Sequence, residues 1–135
     1  MYEGLIMLDR DSEFSVEAFQ AELERTFLGK PGAPSQITMQ GSQITLQWGA
    51  YALRLNRSAG PNVLEESAEI AESCGEGHPE RERIAECRVR FELVGDEDPD
   101  FNHLPDALLA GEAAARCGRV YRFDEESQEF LDLEQ

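Results

Sequence analysis

Three runs of alternating residues between positions 35 and 58 constrain the fold of this chain more than any other feature. The tetrapeptide SQIT occurs twice, seven residues apart, with Gly41 between the copies. This spacing is typical of two strands joined by a tight turn. Gly49 interrupts the second run, and apolar residues alternate again from Tyr51 to Leu55. The stretch therefore predicts three consecutive antiparallel strands.

Further strands are predicted on both sides of this unit. Residues 5–8, LIML, form a continuous apolar run, which is typical of a central strand covered on both faces. Alternation from Cys87 to Leu93 predicts a half-buried strand. A strand is also predicted at residues 120–123, and the last apolar residues, at 130, 131 and 133, indicate a final short one.

Three helices are predicted between these strands. Ser15 is a suitable cap for a helical stripe that ends at Gly29. A second helix follows Pro61, with Asn62 and Glu65 at capping-box spacing. A third has Pro105 in its first turn. The expected buried stripes are Leu64, Ala68 and Ala71 in the second helix, and Leu104, Leu108, Gly111 and Ala115 in the third.

The order βαβββαβαβ indicates an α+β fold, with helices on one face of a mainly antiparallel sheet in a ferredoxin-like or related arrangement. The 135 residues are enough for one domain, so residues 1–135 are interpreted as a single α+β domain. Residues 1–11 contain no apolar run long enough for a signal sequence or a membrane span, and we expect a cytoplasmic protein.

Negative charge is concentrated in the second half of the chain. The formal net charge is −16, and residues 61–135 contain 21 acidic against 7 basic residues. Such a field repels phosphate backbones and anionic lipids, whereas it accelerates encounter with a basic partner. We therefore expect neither nucleic acid nor a membrane as the partner. Solubility alone is the simpler explanation of the charge.

The segment GDEDPDFNH, residues 95–103, is the strongest candidate for a metal loop. Its aspartates Asp96, Asp98 and Asp100 together with His103 are the candidate ligands. The calcium-loop template fails, because Phe101 occupies the position of the required glycine. The acidic run is more simply interpreted as the solvated start of a helix, whose positive end it stabilises.

No constellation in the chain predicts catalysis. His103 and Asp106 are three residues apart at a helix start, so their side chains can face each other, but a nucleophile or further ligands are missing. The three cysteines, Cys74, Cys87 and Cys117, include no CxxC pair and are interpreted as reduced structural thiols. The sequence thus favours a protein without enzymatic activity, and we expect no cofactor.

Four stretches carry a resemblance to other proteins: NVLEESAEIAE, IAECRVRFEL, DEDPDFNHLPDALLAGEAA and VYRFDEESQEF. They resemble the second half of small uncharacterised bacterial α+β proteins, some of which are similar to immunity proteins of polymorphic toxin systems. The resemblance covers residues 62–130. It implies no assigned activity and no catalytic residue.

The functional hypothesis is an acidic protein that binds a basic protein, as an immunity-type inhibitor binds a basic toxin or nuclease. The expected contact residues lie in one helix and in the acidic segment: Glu65, Glu66, Glu69, Glu72, Asp96, Asp98, Asp100 and Asp106. A divalent-metal-binding module or metal-dependent hydrolase is the first alternative. A structural homodimer that pairs through an exposed sheet edge is the second.

Overall fold

A computed structural model describes residues 2–131, in which strands and helices follow the predicted order with a few additions. The strands are β1 (Tyr2–Leu8), β2 (Gln36–Gln40), β3 (Gln43–Trp48), β4 (Tyr51–Ala59), β5 (Val89–Gly95), β6 (Val120–Asp124) and β7 (Glu129–Phe130). The helices are α1 (Val16–Phe27), α2 (Pro61–Cys74), α3 (Arg81–Ala85) and α4 (Leu104–Cys117). The α+β class is confirmed. The predicted final strand exists as β7, while Leu133 lies outside the described residues.

The seven strands form one sheet in the order β2-β3-β4-β5-β1-β6-β7, and every neighbouring pair is antiparallel. β1 lies inside the sheet between β5 and β6, as its continuous apolar run predicts. The antiparallel sheet is thus confirmed. The narrower ferredoxin-like expectation stays a prediction.

Helices cover both faces of the sheet, which corrects the expectation that they lie on one. Successive side chains of a strand point to opposite faces. In β1, Ile6 and Leu8 join a core formed with α1 and α4. Leu5 and Met7 join a second core formed with α2 and α3. Because residues 5–8 are apolar on both faces, each face needs its own helical cover.

The hairpin predicted from the repeated tetrapeptide is confirmed. The register of β2 and β3 places Ile37 opposite Leu46 and Met39 opposite Ile44. β4 follows after a turn at Gly49 and pairs with β3 along its length. Among the described strands, β2 has a neighbour only on its β3 side, so it forms one edge of the sheet.

The ends of two helices differ in how well the sequence predicts them. Ser15 caps α1 as expected, because its Oγ accepts a hydrogen bond from the backbone N–H of Ala18 at 3.1 Å. At α2 the predicted capping box is wrong. The helix begins at Pro61 with Gly60 as its N-cap, so Asn62 already lies inside the helix.

Among the described residues, no helix combines the length and the apolar composition needed to cross a bilayer.

The predicted buried stripes of α2 and α4 also require correction. α2 buries Val63, Ser67 and Ala71, while Leu64 and Ala68 are exposed. α4 exposes the predicted core positions Leu108 and Ala115. It buries the small residues Ala107, Ala110, Gly111, Ala113 and Ala114. Small residues allow the helix backbone to approach its neighbours closely. The packing gained by this close approach outweighs the cost of leaving larger apolar residues exposed on the outer face.

One buried carboxylate, just after the end of β1, accepts several hydrogen bonds from other parts of the chain. Asp9 is 2% exposed and accepts hydrogen bonds from Arg83 through both oxygens, at 2.8 and 2.7 Å. It also accepts from the Tyr121 hydroxyl at 2.7 Å and from the backbone N–H of Asp11 at 3.1 Å. The hydrogen bonds from Arg83 hold the pKa of Asp9 well below its ordinary value. This network ties β1 to α3 and β6.

Candidate functional site

The acidic segment begins at the end of β5, where Asp96 is fastened to β4. Its carboxylate accepts hydrogen bonds from Arg54 Nη1 at 2.8 Å and from the backbone N–H of Ala52 at 3.0 Å. The hydrogen bond from Arg54 lowers the pKa of Asp96. Asp96 therefore anchors the segment to the sheet as a charged group.

Asp98 closes the segment onto the start of α4. Its Oδ2 accepts a hydrogen bond from the backbone N–H of His103 at 2.6 Å, and its carbonyl accepts one from Phe101 at 2.9 Å. His103 is the N-cap position of α4. A carboxylate at this position satisfies a free N–H group and stabilises the positive end of the helix. Asp98 therefore has the role expected of an acidic residue at the start of a helix.

His103 lies against two aromatic rings and one carboxylate. Its Nδ1 is 3.0 Å from Asp106 Oδ2, so the contact predicted from their spacing is confirmed. The imidazole stacks on Tyr51, with ring centroids 4.1 Å apart and planes 11° apart. The ring of Trp48 also lies beside this imidazole, with the two ring centroids 5.1 Å apart. Burial, followed by the charges of nearby aspartates, raises the pKa of Tyr51, so its hydroxyl stays protonated.

A cleft of about 260 Å³ opens between this segment, the sheet and α4. It combines two kinds of side chain, aromatic rings and carboxylates, and its described lining includes no lysine or arginine. The rings are Tyr2, Tyr51, Phe101 and His103, the carboxylates are Asp96, Glu97, Asp98 and Glu126, and Pro99, Leu104 and Ala107 complete the lining.

Phe101 is the most exposed large apolar side chain described in the chain, at 69%. Its backbone φ of 56° lies in the left-handed region, which costs a residue with a side chain about 1–2 kcal/mol. The hydrogen bond to the Asp98 carbonyl holds it there. An exposed phenyl ring on a strained backbone is unfavourable for the isolated protein. The ring is therefore well placed for contact with another molecule.

The eight acidic residues expected to bind a partner fall into separate groups. Asp96 and Asp98 line the cleft. Asp106 lies outside the lining and contacts the imidazole of His103, and Asp100 is exposed outside the lining. The four glutamates of α2, Glu65, Glu66, Glu69 and Glu72, belong to a helix on the opposite face of the sheet from α4. They lie outside the cleft lining.

Internal ion pairs neutralise part of the expected surface. Glu66 contacts Arg90 at 2.6 Å, and Asp96 contacts Arg54 at 2.8 Å. Glu65, Glu69 and Glu72 are exposed on the outer side of α2. Neither Tyr2 nor Glu126 could be assigned to the cleft from the sequence, because they come from opposite ends of the chain. Phe101 is a large apolar residue directly after a run with four acidic residues, and this contrast could have indicated a functional surface.

Metal binding and thiol chemistry receive no geometric support from the described residues. Within residues 2–131, no group of three His, Cys, Asp or Glu side chains is arranged to hold a metal ion. Asp96 and Asp98 instead accept hydrogen bonds from protein donors. The three cysteines are free, as predicted. Burial raises the pKa of Cys87 to about 12, so its thiol is not a nucleophile at neutral pH.

Comparison with models of protein families, with curated proteins and with solved structures finds no match to this chain. The resemblance to immunity proteins receives no support from these comparisons. Evidence on function therefore comes from the geometry of the cleft.

Proposed function

We propose that this chain is a non-enzymatic protein-binding protein whose cleft takes up a basic side chain of a partner protein. The observation that carries the proposal is the lining of the cleft, four aromatic rings with four carboxylates, of which Asp96 is already paired with Arg54. Aromatic faces attract cations, and carboxylates form paired hydrogen bonds with a guanidinium group. The combination suits an arginine or lysine side chain better than an anion or an apolar ligand.

The size of the cleft supports a side chain as its occupant. Pockets for small molecules and cofactors have volumes of roughly 300–1,000 Å³. At about 260 Å³ this cleft is below that range. Phe101 at its rim adds an apolar anchor, and exposed aromatic residues of this kind dominate the energetics of many protein interfaces.

The charge of the whole chain supports the same class of partner. The net charge of −16 favours encounter with a positively charged protein and accelerates association at low salt. A toxin or nuclease with a basic surface belongs to this class, and the chain would then act as its immunity-type inhibitor in the cytoplasm. The exposed glutamates of α2 would contribute to long-range attraction, and the cleft would provide the specific contact.

The proposal is tested by titrating the protein with a short acetylated peptide that contains two arginines separated by glycine. Trp48 is the only tryptophan and contacts His103, so its fluorescence reports on the cleft. We expect Glu97→Gln to weaken binding about fivefold, the equivalent of roughly 1 kcal/mol for one ion pair. Glu17→Gln removes the same charge from the exposed side of α1 and is the matched control.

A second variant separates binding from folding. Phe101→Gly removes the anchoring ring and also relieves the left-handed backbone, because glycine adopts positive φ without a steric penalty. We expect weaker peptide binding, with a free energy of unfolding that is unchanged or up to about 1 kcal/mol higher. Equal affinities for Glu97→Gln, Glu17→Gln and the original chain would overturn the proposal.

A further inference from the structure

The outer edge of β2 differs in composition from the rest of the chain. Residues 31–53 contain no Asp, Glu, Lys, Arg or His, although charged residues make up 30% of the sequence. This is the longest uncharged stretch in the chain, and it supplies β2, β3 and the start of β4. This uncharged stretch therefore lies at the β2 side of the sheet.

β2 also lacks the devices that normally protect an edge strand. Within residues 2–131 no strand pairs with its outer side, so its free backbone N–H and C=O groups can pair with another strand. Natural edges are usually blocked by a charge, a proline or a bulge. The strand, QITMQ, contains neither charge nor proline, its register with β3 is continuous, and four of its five residues are exposed.

We infer that this edge pairs with the β2 edge of a second copy of the same chain. The sequence QITMQ is nearly the same in both directions, so an antiparallel pair centred on Thr38 matches like with like. Gln36 then faces Gln40 of the other copy, Ile37 faces Met39, and Thr38 faces its own counterpart. Such a pairing has two-fold symmetry, and apolar and Thr–Thr cross-strand pairs each contribute about 0.2–1 kcal/mol.

Charge favours a second copy over a different partner. Two chains of net charge −16 repel each other over most of their surfaces, and an uncharged edge is where that repulsion is weakest. Charge gives a basic protein no reason to prefer the uncharged edge, and it attracts such a protein to the acidic surfaces instead. The resulting dimer would contain one continuous sheet, with the clefts beside α4 in separate subunits.

The test measures molar mass by light scattering over about two orders of magnitude in protein concentration. One chain has a mass of 15.1 kDa, and we expect the mass to approach twice this value as concentration rises. Thr38→Lys places two ammonium groups together at the two-fold axis and is expected to hold the protein at the mass of one chain. Thr45→Lys is the matched control, because Thr45 lies opposite Thr38 on β3 and receives the same charge away from the edge.

Amide hydrogen exchange gives an independent readout of the same contact. We expect amides of residues 36–40 to become more protected as concentration rises in the original chain and in Thr45→Lys, but not in Thr38→Lys. A mass that stays at one chain throughout, or a dimer that persists in folded Thr38→Lys, would overturn the inference. Neither result bears on peptide binding at the cleft, so the two proposals fail separately.

Discussion

A single residue, Asp9, connects three parts of the chain, because its carboxylate accepts hydrogen bonds from α3, from β6 and from the loop after β1. The lowered pKa makes its contribution to stability dependent on pH. A group with a depressed folded pKa contributes stability above its unfolded pKa, which is about 3.9 for aspartate. That contribution is lost as the pH falls below about 4.

Asp9→Asn should therefore lower stability at neutral pH and flatten its acid dependence. We expect a loss of about 2–3 kcal/mol at pH 7, because Arg83 and Tyr121 lose a charged acceptor inside the protein. The difference from the original chain should shrink as the pH falls below about 4. Urea unfolding across this pH range measures both effects. The exposed Asp100→Asn is the control, and an unchanged acid limb in Asp9→Asn would contradict the assignment.

At the scale of a helix, α2 contains a buried polar group without a partner. Ser67 is fully buried against the sheet, and its Oγ has no hydrogen-bond partner among residues 2–131. An unsatisfied hydroxyl lowers the free energy of unfolding. Ser67→Ala should raise it by about 1 kcal/mol, as measured by urea unfolding. Ser73→Ala, on the exposed side of the same helix, isolates the gain in helix propensity, and an equal gain in both variants would refute the explanation.

The strands could be predicted from the sequence better than the helix faces. In β5 the alternation from Val89 onward matches the observed burial, because one face of that strand packs on a core rich in large apolar residues. In α4 the exposed Leu108 and the buried Ala110 reverse the ordinary preference for large residues inside. Close packing of α4 on α1 and on the sheet decides this, and a single helix sequence does not contain that information.

The candidate site was predictable only where it is local in the chain. The contact between His103 and Asp106 follows from their spacing of three residues on a helix. The stacking of Tyr51 on His103 joins β4 to the start of α4, and Tyr2 and Glu126 reach the cleft from opposite ends of the chain. These contacts depend on strand order, which alternation alone does not determine.

At the scale of the whole molecule, the negative charge is only partly neutralised from within. In the described part of the chain, ion pairs join arginines to acids on several surfaces, including Arg83 with Asp9 and Arg90 with Glu66. The chain nevertheless has 28 acidic against 12 basic residues, so most carboxylates remain in excess. The described residues therefore combine an excess of carboxylates with an uncharged edge at β2.

The two proposed contacts should respond to salt in opposite directions. Binding of an arginine peptide at the cleft depends on attraction between opposite charges, so added salt should weaken it. Pairing of two β2 edges is opposed by repulsion between like-charged chains, so added salt should strengthen it. Fluorescence titration and light scattering at low and high salt measure the two effects. The same direction of change in both would contradict the assignment of charge to these surfaces.

The most direct test of the cleft is to map peptide binding residue by residue. The backbone amides of the isotope-labelled protein would be followed by nuclear magnetic resonance during titration with the arginine peptide at low salt. We expect the largest shifts at residues 96–104, at Tyr51 and at Glu126, with small shifts along α2. Shifts concentrated on α2, or spread evenly over the acidic surface, would contradict the claim that this cleft receives a basic side chain.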